Sequence, residues 1–260
     1  MPFVRTPRRL KVAVIGCGPA SQEPLTYMDT RWTVRGLVSK KLQALASERG
    51  WMVEPHIYWP AGHSWDYPTP GTYDAVIIPG SKLNIDDTGL KQNPWMHGLM
   101  HFIRSIDKDV PTLGICFGHQ AMARAHGAEV KKIPAPTLAE IGFSPVFSTD
   151  DASADTLFDS MPERYDGLFS HFTYVSRPPE NGTVLASGVL PDMVQAYRIG
   201  ESKWGVQFHP DYSPQNIAEL VESRKERLAE MLDISKIRTI NPAREDHKVL
   251  ERFLEHSFEC

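Results

Sequence analysis

The sequence predicts an α/β protein with an open, mostly parallel (mixed) sheet flanked by helices. Three observations predict it. Short, near-continuous apolar runs recur at residues 11–15, 73–78 and 112–115, the pattern of strands buried on both faces. Segments with helical spacing of apolar residues, 33–49 and 94–106, alternate with them. Three of the strands run straight into glycine turns, at Gly16, Gly80 and Gly114-Ile-Cys-Phe-Gly118. In open parallel sheets the carboxyl ends of the strands are where ligands bind, so these turns are expected to share one edge.

Taken in order, residues 1–9 form a basic lead-in and 11–15 the first strand. The turn Gly16-Cys-Gly-Pro-Ala20 resembles a dinucleotide-binding loop. However, Ser21 stands where the third glycine belongs, and no acid follows about 20 residues on. The bland reading, a turn at the sheet edge, is preferred. Residues 33–49 carry a helical stripe that Gly50 ends, and 51–59 alternate as a second strand. Residues 60–71 read as an irregular Pro-, Gly- and aromatic-rich loop. The strand at 73–78 ends in Pro79-Gly80-Ser81, and an amphipathic helix spans 94–106.

The run 112–115 then enters a sharp turn, with a helix from 120 to 126 stopping at Gly127. Cys116 sits at that turn with a glycine two residues away on each side, the arrangement of a nucleophile elbow with sulfur in place of oxygen. Glycine is needed there because strand and helix approach too closely for side chains. The helix start aims N–H groups and its positive end at the sulfur. The alternative is a small buried cysteine under a glycine turn.

Beyond Glu129 the chain turns to strands, 140–147, 183–189, 193–199 and 203–208, with another loop and strand at 166–175. A short helix is expected at 155–161, a long one at 214–232 and, at 241–258, one with charges outside that packs on the domain. The sheet should hold roughly seven strands. The organisation is one domain over 1–260, with a core at about 10–232 and a helical tail at 233–260.

A cysteine nucleophile needs a base and a group to orient that base. Among ten histidines, His209 stands out at the end of a β-rich run, followed by Pro210 and Asp211. In extended chain, residues i and i+2 point the same way, so Asp211 could hold the imidazole. An oxyanion formed at the elbow needs two donors. The Phe117 backbone N–H and the Gly80 turn are the candidates.

Together, Gly114-Ile-Cys-Phe-Gly-His-Gln120, Ile78-Pro-Gly-Ser81 and Gly205-Val-Gln-Phe-His-Pro-Asp211 resemble the class I (triad) glutamine amidotransferases over roughly residues 10–212. The resemblance implies a flavodoxin-like fold of that family and a γ-glutamyl thioester on Cys116. His209 would be the base and Asp211 the orienting acid. Gly80 and Phe117 would form the oxyanion hole, and Ser81, Gln120, Ser170, His171 and Phe172 would hold the substrate. The chain departs from the family pattern twice. Asp211 replaces the usual glutamate, and Ser170-His-Phe-Thr-Tyr-Val175 lacks an acid before the valine.

Three functions follow. The first is a free-standing amidotransferase that hydrolyses glutamine and supplies ammonia to a separate synthetase. The second is a γ-glutamyl peptidase or hydrolase acting on another γ-glutamyl conjugate, as in the plant γ-glutamyl peptidases that this chain is similar to. The third is a non-catalytic regulatory module of the same fold. The resemblance implies no cofactor and no metal. The chain has 41% hydrophobic and 23% charged residues and a net charge of −4, with no basic stripe, which speaks against a nucleic-acid partner. No apolar run is long enough to span a membrane. Three scattered cysteines fit a reducing, cytoplasmic setting.

Overall fold

Alternation along the first strand sets the layers. In β1 (Arg9–Ile15), Leu10, Val12 and Val14 enter a core on one face of the sheet, while Ala13 and Ile15 enter a second core on the other. The computed structural model describes residues 9–18, 34–60, 67–135, 138–190, 192–241 and 243–260. The basic lead-in 1–8, the later part of the turn after β1 and residues 61–66 of the aromatic loop lie outside them.

The chain continues as α1 (Val34–Arg49), β2 (Met52–Tyr58), β3 (Ala75–Ile78), α2 (Asp87–Gln92), α3 (Trp95–Ser105), β4 (Thr112–Ile115) and α4 (Phe117–Ala125). Then follow β5 (Glu129–Lys132), β6 (Glu140–Ser148), β7 (Arg164–His171), β8 (Thr173–Arg177), β9 (Gly182–Ser187), β10 (Val194–Ile199) and β11 (Lys203–Val206). The helices α5 (Pro214–Ser223), α6 (Lys225–Ala229) and α7 (Lys248–Glu259) close the order.

The sheet order is β2-β1-β3-β4-β11-β10-β9-β6-β7, with β8 pairing β5 and β10. From β2 to β11 every neighbour is parallel; from β11 onward every pair is antiparallel. Strand β4 lies inside the parallel half, matched as Val76↔Thr112 on one side and Thr112↔Lys203 on the other. The turns after β1, β3, β4 and β11 therefore emerge on the same edge. Helices α3 and α4 cover one face through Trp95, Met96, Leu99, Ile103, Phe117 and Met122. Helices α1 and α7 cover the other through Val38, Leu42, Leu45, Val249, Leu250, Phe253 and Leu254. Among the described residues no helix is long and apolar enough to cross a membrane.

Several expectations are corrected. Among the described residues the sheet has 11 strands, not seven or so. The stretch 166–175 is two strands that break at Phe172, and β5 has too weak a pattern (one buried residue, Val130) to be read from sequence. Residues 155–161 form turns; the helical piece is the 3₁₀ turn Asp150–Ala154 just before them. The buried Asp155 accepts from Leu157 N–H, which favours a turn over a helix start. The helix expected at 214–232 is interrupted at Arg224, whose N–H bonds the Val221 carbonyl. The last helix begins at Lys248, not 241; it packs on the domain as expected, burying Val249, Leu250, Phe253 and Leu254. At the described ends of the aromatic loop, Tyr67 stacks on Phe102 at 4.9 Å and Trp59 packs on the same core.

Candidate active site

Cys116 occupies the link between β4 and α4 with φ 52° and ψ −101°, a left-handed conformation that costs a non-glycine residue about 1–3 kcal/mol. Its N–H bonds the Val206 carbonyl at 2.8 Å, so the parallel ladder of β4 and β11 runs up to the elbow. The flanking glycines are required by contact. A Cβ on Gly118 would lie 1.8 Å from the Ile78 carbonyl oxygen, and one on Gly114 would lie 2.6 Å from the Gly118 oxygen. Phe117 is the first residue of α4, so its N–H has no partner within the helix.

His209 follows β11 and is 2% exposed; Cys116 is 5% and Asp211 4% exposed. The ring Nδ1 lies 3.1 Å from Asp211 Oδ1. Its other side reaches the Cys116 sulfur. Gly80 closes the group, since a Cβ there would lie 2.8 Å from His209 Cε1 and 3.5 Å from Cys116 Cβ. Tyr212 stacks on the His209 ring at 3.9 Å. Burial alone lowers the proton affinity of His209, but the Cys116 and Asp211 charges and hydrogen bonds outweigh it, and the pKa is pushed up to about 10. Cys116 and Asp211 thus both favour the charged form of the ring that lies between them.

The backbone of this turn is held from outside the strand. The His209 N–H bonds the Leu168 carbonyl at 2.7 Å. The Arg244 guanidinium donates to the Tyr212 carbonyl at 2.6 Å and reaches the His209 carbonyl at 3.4 Å. It also pairs with Asp246 through Nε at 2.7 Å and Nη2 at 2.8 Å.

The residues expected to grip the substrate divide. Gln120 and His171 are turned into the protein. Gln120 donates to the Thr173 carbonyl at 2.7 Å and to Gln207 Oε1 at 2.8 Å, and accepts from the Thr173 hydroxyl at 2.9 Å. His171 bridges the Thr173 carbonyl at 2.9 Å and Glu140 Oε2 at 2.8 Å. Buried polar groups take the partners at hand, and here these are internal. Gln195 adds a second contact to Glu140 Oε2 at 2.7 Å. Ser81 donates to the Cys17 carbonyl and accepts from Leu83 N–H at 3.1 Å, joining the turns after β1 and β3. Ser170 is half-buried in β7 opposite Ile141. Phe172 is half-buried in the cluster that contains Tyr212. Tyr212, Glu140, Arg244 and Asp246 escaped sequence reasoning. Tyr212 alone had a signal, its place beside the His209-Pro-Asp211 run.

The fold and this buried Cys, His and Asp group define a cysteine-dependent amidotransferase class. Residues 49–224 match the family described as "Glutamine amidotransferase class-I", and the chain belongs to that family of enzymes. It is 30% identical over 139 residues to a glutamine-hydrolyzing GMP synthase subunit from Sulfolobus acidocaldarius, covering 54% of this chain and 68% of that one. It is 27% identical over 199 residues to the glutamine amidotransferase-like protein chyE of Penicillium rubens, covering 73% and 76%. A crystal structure of a glutamine amidotransferase from Thermotoga maritima shares the fold, with TM-score 0.68, 22% identity and coverage of 97% and 100%. One from Methylobacillus flagellatus does so with TM-score 0.64, 18% identity and coverage of 97% and 94%.

Proposed function

We propose that the protein hydrolyses the γ-amide of glutamine through a thioester on Cys116 and supplies the ammonia to a separate synthetase. The observation that carries this is the buried Cys116–His209–Asp211 line at the elbow, with His209 raised to about 10. A Cys116 thiolate attacks the γ-carbonyl carbon. The oxyanion is received by the Phe117 N–H and the Gly80 turn, donors of the kind whose loss costs ~10²–10³ in rate. His209 gives its proton to the departing nitrogen, and ammonia leaves. Having given up its proton, the neutral ring is placed to take one from the attacking water. Water adds to the thioester, glutamate leaves and the thiolate returns. Asp211 holds the ring through Nδ1 in both halves.

The reading takes the chain as one unit over 1–260, its core at about 10–232 and its C-terminal segment packed on it. A reducing, cytoplasmic setting fits cysteines that form no disulfide among the described residues. The partner reading is supported by the Sulfolobus relative, which is named as one subunit of a GMP synthase and so implies a second.

A second reading, cleavage of a larger γ-glutamyl conjugate, is favoured by one observation. Gln120 and His171 are engaged internally and 170–175 carries no acid, so these positions are not free to hold the free end of glutamine. The test is glutamate release by wild type and Cys116→Ala, offered glutamine and a panel of γ-glutamyl amides. Cys116-dependent release from glutamine is expected. Release from conjugates alone selects the second reading, and no Cys116-dependent release from either rejects both.

A further inference from the structure

Residues 225–260 lie outside the matched family segment, yet they reach the catalytic turn. The contacts form a closed circuit. The Leu168 carbonyl accepts from His209 N–H at 2.7 Å, and Leu168 N–H donates to Asp246 Oδ2 at 3.0 Å. Asp246 is fully buried and pairs with Arg244, which returns to the carbonyls of Tyr212 and His209. The segment leading there is anchored as well. The Arg238 carbonyl accepts from Phe143 N–H at 2.7 Å, and Arg238 and Asn241 both donate to Asp166 at 2.6 and 3.0 Å.

We infer that Arg244, oriented by Asp246, is a positioning residue that fixes the His209–Tyr212 turn and thereby sets the His209 ring against Cys116. A strap from the C-terminal segment does for this turn what strand pairing does for Cys116. The turn lies beyond the end of β11, where the ladder no longer holds the backbone. The planar guanidinium suits the task because it directs donors to two carbonyls and a carboxylate at once, which a lysine ammonium does not do with fixed geometry. Asp246 has the matching geometry: one oxygen faces Nε, and the other receives both Nη2 and Leu168 N–H. The inference rests on the reading that His209 acts on Cys116.

The test compares full-length wild type, Arg244→Met and Arg244→Lys by two readouts. One is the titration of the His209 ring by NMR in histidine-labelled protein. The other is the rate of Cys116 alkylation by iodoacetamide near neutral pH. Thermal melts establish that each variant is folded. In folded Arg244→Met the ring midpoint should fall from about 10 toward the ordinary histidine range. Alkylation should slow by ~10- to 100-fold, the scale on which misplacement of a reacting group acts. A folded Arg244→Met with wild-type midpoint and rate overturns the inference. If Arg244→Met does not fold, Arg244→Lys decides, because it keeps the charge opposite Asp246. A shifted midpoint and slowed alkylation at a wild-type melting temperature support the inference, and wild-type values overturn it. Neither readout uses glutamine, so an absence of glutaminase activity would remove that reading and leave this result intact.

Discussion

His209 Nδ1 and Asp211 Oδ1 meet at 3.1 Å across a turn. Strand β11 ends at Val206, and the Tyr212 N–H closes back on the His209 carbonyl at 3.2 Å. The aspartate, one methylene shorter than the family's glutamate, thus reaches the ring because the backbone bends toward it. Its second oxygen, Oδ2, is buried with no partner among the described residues, so all of the carboxylate's directed contact falls on the imidazole.

This contact and the sulfur make a pH signature. Burial would lower the ring, yet Cys116 and Asp211 lift it to about 10, while an unfolded histidine titrates near 6.5. A pKa raised on folding gives stability that is complete below about pH 6.5 and is lost as pH rises through about 10. Thermal melts from about pH 6.5 to about pH 10.5 should show a wild-type decline that Cys116→Ala, lacking the sulfur charge, flattens. Parallel declines in the two proteins would refute the ion pair.

Gly80 is predicted to be required for space and not for backbone shape. The methyl of Gly80→Ala would press on His209 Cε1 at 2.8 Å and touch Cys116 Cβ at 3.5 Å. The expected result is a loss of ~10²-fold in kcat/KM with the melting temperature nearly kept, because the ring must move off line. Wild-type kcat/KM in Gly80→Ala would show that the ring has room to spare.

Gln120→Ala separates support from substrate grip. The substitution strips partners from Gln207 and from both the carbonyl and hydroxyl of Thr173. Leaving such groups unpaired costs about 1–3 kcal/mol. Each kcal/mol lowers the melting temperature by ~2–4 °C in a chain of this size. KM for glutamine should stay within about threefold of wild type. A large rise in KM at an unchanged melting temperature would place Gln120 at the substrate after all.

Much of the site was legible because it is local. A glycine on each side of Cys116, an apolar run before it and a helical pattern after it can be satisfied by one backbone shape, and the contacts of Gly114 and Gly118 show why no other residue fits. The His209-Pro-Asp211 spacing pointed to the right pair for the wrong reason, since the chain there bends. The number of strands and the helix boundaries were less legible. The edge strand β5 and the split at Phe172 depend on pairing partners, Arg177 to Thr173 for β5, that spacing along the chain does not reveal.

The sequence by itself determined the parallel half of the sheet, the elbow and the edge at which Gly80, Cys116 and His209 assemble. Apolar runs, glycine turns and helical spacing are short-range constraints that each segment meets alone. Only the tertiary structure decided which polar side chains face inward and what holds the His209–Tyr212 turn. Gln120 and His171 turned inward because Thr173, Gln207 and Glu140 were brought beside them by the register of β6, β7, β8 and β11. Arg244 reached His209 from 35 residues away, and Asp246 reached Leu168 from 78. A buried donor or acceptor bonds whatever the packed chain places near it, and that neighbour is set by how distant segments dock rather than by the residues on either side.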